Sequence, residues 1–152
     1  MSPTENKAVV RRYVEEAFNK NNPSLVDELC SPQYQHHDPG TPTARSGPAA
    51  LKQVISIYHT AFPDVRITID DQIAEGDQVV SRWTGQGTHR GELMGVAPTG
   101  RQVKVSGIQI DRISGGKFVE GWVNWDTMGM LQQLGVVSIP ALEPVTATRS
   151  GR

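Results

Sequence analysis

The sequence predicts an α+β domain in which three helices come first and an antiparallel sheet follows. Apolar residues recur at helical spacing as far as Phe62 and alternate from Val65 onward. The helical and alternating stretches are segregated, which indicates α+β and not a parallel α/β sheet. Turn residues, Glu75-Gly76-Asp77 and Ser114-Gly115-Gly116, join successive alternating runs as hairpins.

Ser2-Pro3-Thr4-Glu5 opens the first helix, with Ser at the cap, Pro in the first turn and Glu three residues after the cap. Val9, Val10, Tyr13, Val14, Ala17 and Phe18 form its apolar stripe, and the helix is expected to reach about Lys20. A short second helix begins at Pro23, turns Leu25, Val26 and Leu29 inward, and stops at Ser31-Pro32. Gln33 to Ala44 reads as irregular and holds His36 and His37. Ser46-Gly47-Pro48 starts a third helix, with Leu51, Val54, Ile55 and Tyr58 inward, and Phe62-Pro63-Asp64 closes it.

Strands are expected over Val65 to Asp70, Gln78 to His89, Arg101 to Ile113 and Lys117 to Trp125. Gly85 and Gly87 suggest a bulge or bend in the second of these. Thr127 to Leu134 reads as a short helix stopped by Gly135. One domain is expected over residues 1–137, followed by a flexible tail over 138–152, with docking of Val136, Val137 and Ile139 on the core or a partner as the alternative.

Composition narrows the function classes. The chain has 152 residues, 37% hydrophobic and 20% charged, with a net charge of −1. That balance fits a folded domain and gives no clustered basic face for nucleic acid or a membrane surface. No apolar run approaches the roughly 20 residues of a membrane span. Met1 to Lys7 lacks a basic-then-apolar leader pattern, so a cytoplasmic location is expected. Cys30 is the single cysteine and is read as a packing residue. His36, His37, Asp38, His89 and Asp126 lack compact ligand spacing, so no metal is expected.

An ordered series of segments carries a family likeness. Phe62-Pro63-Asp64, Gly87-Thr88-His89-Arg90-Gly91-Glu92, Gly95 to Gly100, Gly116-Lys117, and Trp125-Asp126 before Leu131-Gln132-Gln133-Leu134-Gly135 occur in that order. From Lys7 to Val136 the chain resembles the SnoaL-like polyketide cyclases of the nuclear transport factor 2-like superfamily. The likeness implies a cone-shaped barrel, three N-terminal helices packed in a curved antiparallel sheet, and a homodimer. Its fold hosts isomerases, hydrolases, hydroxylases and non-catalytic binders, so function has to come from the site.

Simple alternation in the last strand puts Phe118, Glu120, Trp122, Asn124 and Asp126 on one face. An Asp in an aromatic hollow would be a strengthened base, whereas beside Thr127 it would serve as a helix cap. The resemblance implies the first role for Asp126: abstraction of a proton next to a carbonyl, then intramolecular aldol-type closure or isomerisation of a small apolar carbonyl compound, without a cofactor. It also implies His37 and His89 as enolate donors or orienting groups; His36 and His59 are read from their own positions as outward. Gln109 fits the first member of a polar Gln–His pair that some relatives carry. Ile110 or Asp111 stands where the second would be, which leaves the aldol step open, and Asp111-Arg112 reads equally as a surface pair. Tyr13, Phe18, Tyr58, Phe62, Trp83, Trp122 and Asn124 are candidate ligand contacts. A hydrolase or hydroxylase of the same fold, or a ligand carrier, is the alternative.

Overall fold

Helix α1 (Pro3–Arg12) begins with the expected capping box: the Ser2 hydroxyl accepts from the Glu5 N–H, and the Glu5 carboxylate accepts from the Ser2 N–H. The computed structural model describes residues 2–138. All of the expected tail except Ser138 lies outside them. The apolar stripe continues past α1 into a π-helical segment, Tyr13–Phe18, and then a turn. There Asn19 takes the place of a strand partner, its side-chain amide donating to the Ile67 carbonyl at 2.9 Å and its side-chain oxygen accepting from the Ile67 N–H at 2.8 Å. This ties the helical layer to the sheet.

A 3-10 turn (Pro23–Leu25) and α2 (Val26–Leu29) lead into β1 (Cys30–His37), and α3 (Pro48–Ala61) follows. Then come β2 (Arg66–Glu75), β3 (Gln78–Thr88), β4 (Gln102–Ser114), β5 (Lys117–Trp125) and α4 (Thr127–Gln133). The sheet runs β1-β5-β4-β3-β2, antiparallel throughout except that β1 lies parallel to β5. No described helix is long and apolar enough to cross a membrane.

The α+β class and the three leading helices stand, while the purely antiparallel four-strand sheet is corrected to a mixed five-strand one. β1 falls in part of the stretch expected to be irregular. Its sequence is polar and contains Pro32, which only an edge strand tolerates. Its partner β5 is distant in sequence, so no hairpin turn announces the pairing.

A β-bulge positions everything that follows. Ile113 pairs with Phe118 and Arg112 with Glu120, so Val119 is the extra residue. One unpaired residue reverses the faces of a strand. Phe118 is therefore inward, and beyond the bulge Gly121, Val123 and Trp125 are inward as well. Two apolar clusters fill the interior, one joining α1, α2 and α3 to the sheet and one around Phe62, Leu93, Met130 and Leu134.

Candidate active site

The concave face of the sheet and the helices enclose a cavity of about 110 Å³. That is several times the roughly 10–15 Å³ one water requires. Tyr13, Phe18, Tyr58, Phe62 and Trp83 form apolar walls, all of them expected as ligand contacts. The Trp83 indole is seated over Gly107, where a Cβ would come within 2.3 Å of the ring. Its N–H is buried and finds no hydrogen-bond acceptor among the described residues.

The polar end of the cavity is built across three strands. Asp111 of β4 pairs with Gly121 of β5, which pairs with His36 of β1. Gly121 leaves an empty position between them, and a Cβ there would lie 2.6 Å from the Tyr34 hydroxyl and 2.9 Å from Asp111 Oδ1. Tyr34 Oη is 2.9 Å from His36 Nδ1, and His36 Nε2 is 3.8 Å from Asp38 Oδ2. With the Tyr34 hydroxyl donating to Nδ1, the proton of the ring is on Nε2. That nitrogen is buried and has no hydrogen-bond partner among the described residues. The acceptor it faces is the buried Asp38 carboxylate, at 3.8 Å too far for a hydrogen bond, so it is a loosely engaged donor at the wall of a cavity.

Asp111 is 2% exposed. Loss of hydration pushes its carboxyl up to about 7, against smaller lowering effects from the Gln109 hydrogen bond and from His36. Gln109 Nε2 donates to Asp111 Oδ2 at 2.7 Å, which fixes the carboxylate and leaves Oδ1 toward the position over Gly121. Within hydrophobic walls, then, stand the Asp111 carboxyl, pushed up to about 7, and an imidazole whose Nε2 faces the Asp38 carboxylate at 3.8 Å without a hydrogen bond. Such a pair can remove a proton from carbon and stabilise the oxyanion that forms.

The model of the SnoaL-like polyketide cyclase family matches residues 8–134. The chain belongs to that family. The aklanonic acid methyl ester cyclase AcmA of Streptomyces galilaeus is 34% identical over 140 residues, 87% of this chain and 92% of that protein. The nogalonic acid methyl ester cyclase of Streptomyces nogalater is 30% identical over 121 residues, 78% of this chain and 90% of that one. Among solved structures, AclR of Streptomyces galilaeus, named as a candidate hydroxylase, superposes with a TM-score of 0.81 at 29% identity. The match covers 98% of this chain and 95% of AclR.

Within this SnoaL-like frame several expected site residues are corrected in place. Asp126 is exposed and caps α4, its Oδ1 accepting from the Gly129 N–H at 2.8 Å. The Val119 bulge explains why: the face that begins inward at Phe118 is outward by Glu120, Trp122 and Asn124. Trp122 lies on the outer face, with His37 stacked on it at 5.4 Å and Arg112 over its ring. His37 is half-exposed there and bonds Glu120 at 2.9 Å. Asn124 is exposed beside an outer groove. His89 is fully buried and is not among the residues lining the cavity; its Nδ1 accepts from the Thr99 N–H at 3.1 Å and holds the loop after β3.

Gln109 faces the cavity, as do two residues read differently from sequence. His36, expected outward, is inward, and Asp111 is not a surface pair with Arg112. The alternation of Tyr34 and His36 with Gln35 and His37 is the signal that would have found the first. The shared parity of Gly107, Gln109 and Asp111 would have found the second.

Proposed function

We propose that the protein is an intramolecular aldol-type cyclase with Asp111, and not Asp126, as general base. One observation carries this reading: the buried Asp111 carboxyl, pushed up to about 7, lines the same end of an apolar cavity as His36, whose Nε2 makes no hydrogen bond among the described residues. The substrate is a largely apolar polyketide-type carbonyl compound, with aklanonic and nogalonic acid methyl esters as the first candidates because the named relatives are cyclases of those esters.

Asp111 as carboxylate takes a proton from carbon next to a carbonyl. The enolate oxygen accepts a hydrogen bond from His36 Nε2, and Tyr34 holds the imidazole in that orientation. The enolate carbon then attacks a second carbonyl of the same molecule, forming the ring bond. The new alkoxide is protonated by the Asp111 carboxylic acid, which restores the carboxylate. Gln109 keeps one carboxylate oxygen occupied so that the other faces the substrate.

Turnover of both esters by the wild type and by Asp111→Asn tests this. Loss of the base should lower turnover by at least about 100-fold. The wild-type rate should climb with pH through about 7, as the carboxyl ionises. Full turnover in Asp111→Asn would refute the base role. The likeness to AclR favours a second reading, hydroxylation. Mass spectrometry separates them, since aldol closure leaves the mass unchanged and hydroxylation adds one oxygen.

Two copies are further proposed to pair through the outer face of the sheet. Ile73, Val80, Ile110 and Trp122 are successive cross-strand neighbours on that face. Ile73 and Ile110 remain 64% and 37% exposed, and neighbouring Ile108 54%. A continuous apolar row of this kind favours a partner surface.

A further inference from the structure

The Trp83 indole is wedged across two strands at the wall of the cavity. A Cβ on Gly107 of β4 would lie 2.6 Å from its Cε2, the ring carbon that carries the nitrogen. One on Gly85 of β3 would lie 3.3 Å from Cζ3, on the opposite side of the ring. The two glycines open a seat for the ring, and the seat holds its N–H on the β4 side.

An indole N–H only donates, so nothing but an acceptor atom can satisfy it. Of the buried side-chain polar atoms without a hydrogen bond among the described residues, two belong to residues lining the cavity, His36 Nε2 and Trp83 Nε1. His36 at least faces the Asp38 carboxylate. Trp83 has Ile67, Gly85 and Val105 as neighbours on the cavity side of the sheet, and their side chains offer no acceptor. Burying a donor in this way is unfavourable, and folded proteins rarely do so without a use for it. The two donors also stand apart. His36 is level with Asp111 through Gly121, whereas Trp83 sits over Gly107, four residues along β4 from Asp111 or roughly 13 Å at the rise of a strand.

We propose that the Trp83 N–H is a second recognition point of the substrate site, donating a hydrogen bond to an acceptor oxygen remote from the reacting carbonyl. The ligand is then an apolar compound with an acceptor oxygen at each end, one taken by His36 and the other by Trp83. The proposal rests on the cyclase reading for the reacting end and adds the group that is read at the other. Trp83 is thereby a specificity-determining residue. A compound that carries the remote oxygen is held in one register along the cavity, with its reacting end at Asp111. One that lacks it leaves the N–H unsatisfied.

Two probes added to the full-length protein test this: para-diacetylbenzene, with an acceptor at each end, and para-diethylbenzene, the same carbon skeleton without oxygen. The chain has three tryptophans, so Trp122→Phe and Trp125→Phe identify the Trp83 indole N–H proton resonance by elimination. That resonance should move downfield with the diketone relative to the hydrocarbon. Trp83→Phe keeps an aromatic wall and removes the donor. It should weaken binding of the diketone about fivefold and change binding of the hydrocarbon by less than about twofold. Equal weakening of both probes, no weakening of either, a resonance that moves alike with both, or no binding of the diketone to wild type would overturn the proposal and leave Trp83 an apolar wall. The resonance is read on wild type, so it decides the matter even where Trp83→Phe fails to fold. No turnover enters either measurement, so a failed Asp111 assignment and a failed Trp83 assignment are told apart.

Discussion

Asp111 and Asp126 are both aspartates near strand ends, and their surroundings give them opposite duties. Asp111 is driven toward its neutral form by burial, so its folded-state pKa of about 7 lies above the ordinary 3.8. In the window between those values the folded chain binds a proton that the unfolded chain has released. Stability therefore falls as pH rises from about 4 to about 7 and levels off above that. Asp111→Asn should consequently melt higher than wild type at pH 8 and show no such gain at pH 4, even as turnover is lost. Asp126 works for the fold. Its removal in Asp126→Ala should cost about 1 kcal/mol at neutral pH by denaturant titration, the ordinary loss of a helix cap, with turnover retained. A variant pair behaving the other way round would reverse the two assignments.

Elements decide which of these side chains meet. Hydrophobic periodicity and turn residues located α3, β3, β4, β5 and α4 within a few residues, because each signal is local, whereas β2 runs on from Asp70 to Glu75 and the first helix turns π-helical after Arg12. The missed features depend on pairing across the chain. β1 is polar and joins β5 over a long separation. The Val119 bulge carries no mark of its own, since Val is an ordinary strand residue, yet it moved Trp122, Asn124 and Asp126 to the outside. The candidate site was legible in part: the walls Tyr13, Phe18, Tyr58, Phe62 and Trp83 and the polar Gln109 were found, while His36 needed β1 to be recognised. Gly121 is where this cross-strand arrangement is most exposed to change. In Gly121→Ala the new methyl would crowd Tyr34 Oη and Asp111 Oδ1. Stability should fall by about 1–3 kcal/mol. Turnover should fall at saturating substrate even at temperatures where circular dichroism shows the variant folded.

Across the whole molecule the sheet has two unlike faces, a cavity on the concave side and the apolar Ile73–Val80–Ile110–Trp122 row on the other. Ile110→Asp places a charge in the middle of that row without touching the cavity lining. Light scattering should show wild type as a dimer and the variant as a monomer. A wild-type monomer at micromolar concentration would remove the pairing proposal and leave the cyclase reading intact.

The parallel join of β1 to β5 also sets an order of events during synthesis. His36 is made early, but the neighbour that holds it in place, Gly121, is translated far later. Contacts between such distant parts of a chain carry a large closure cost and tend to form late. While the ribosome is still extending the chain, His36 and Asp111 therefore belong to unjoined halves. The two side chains come together only once β5 has been made.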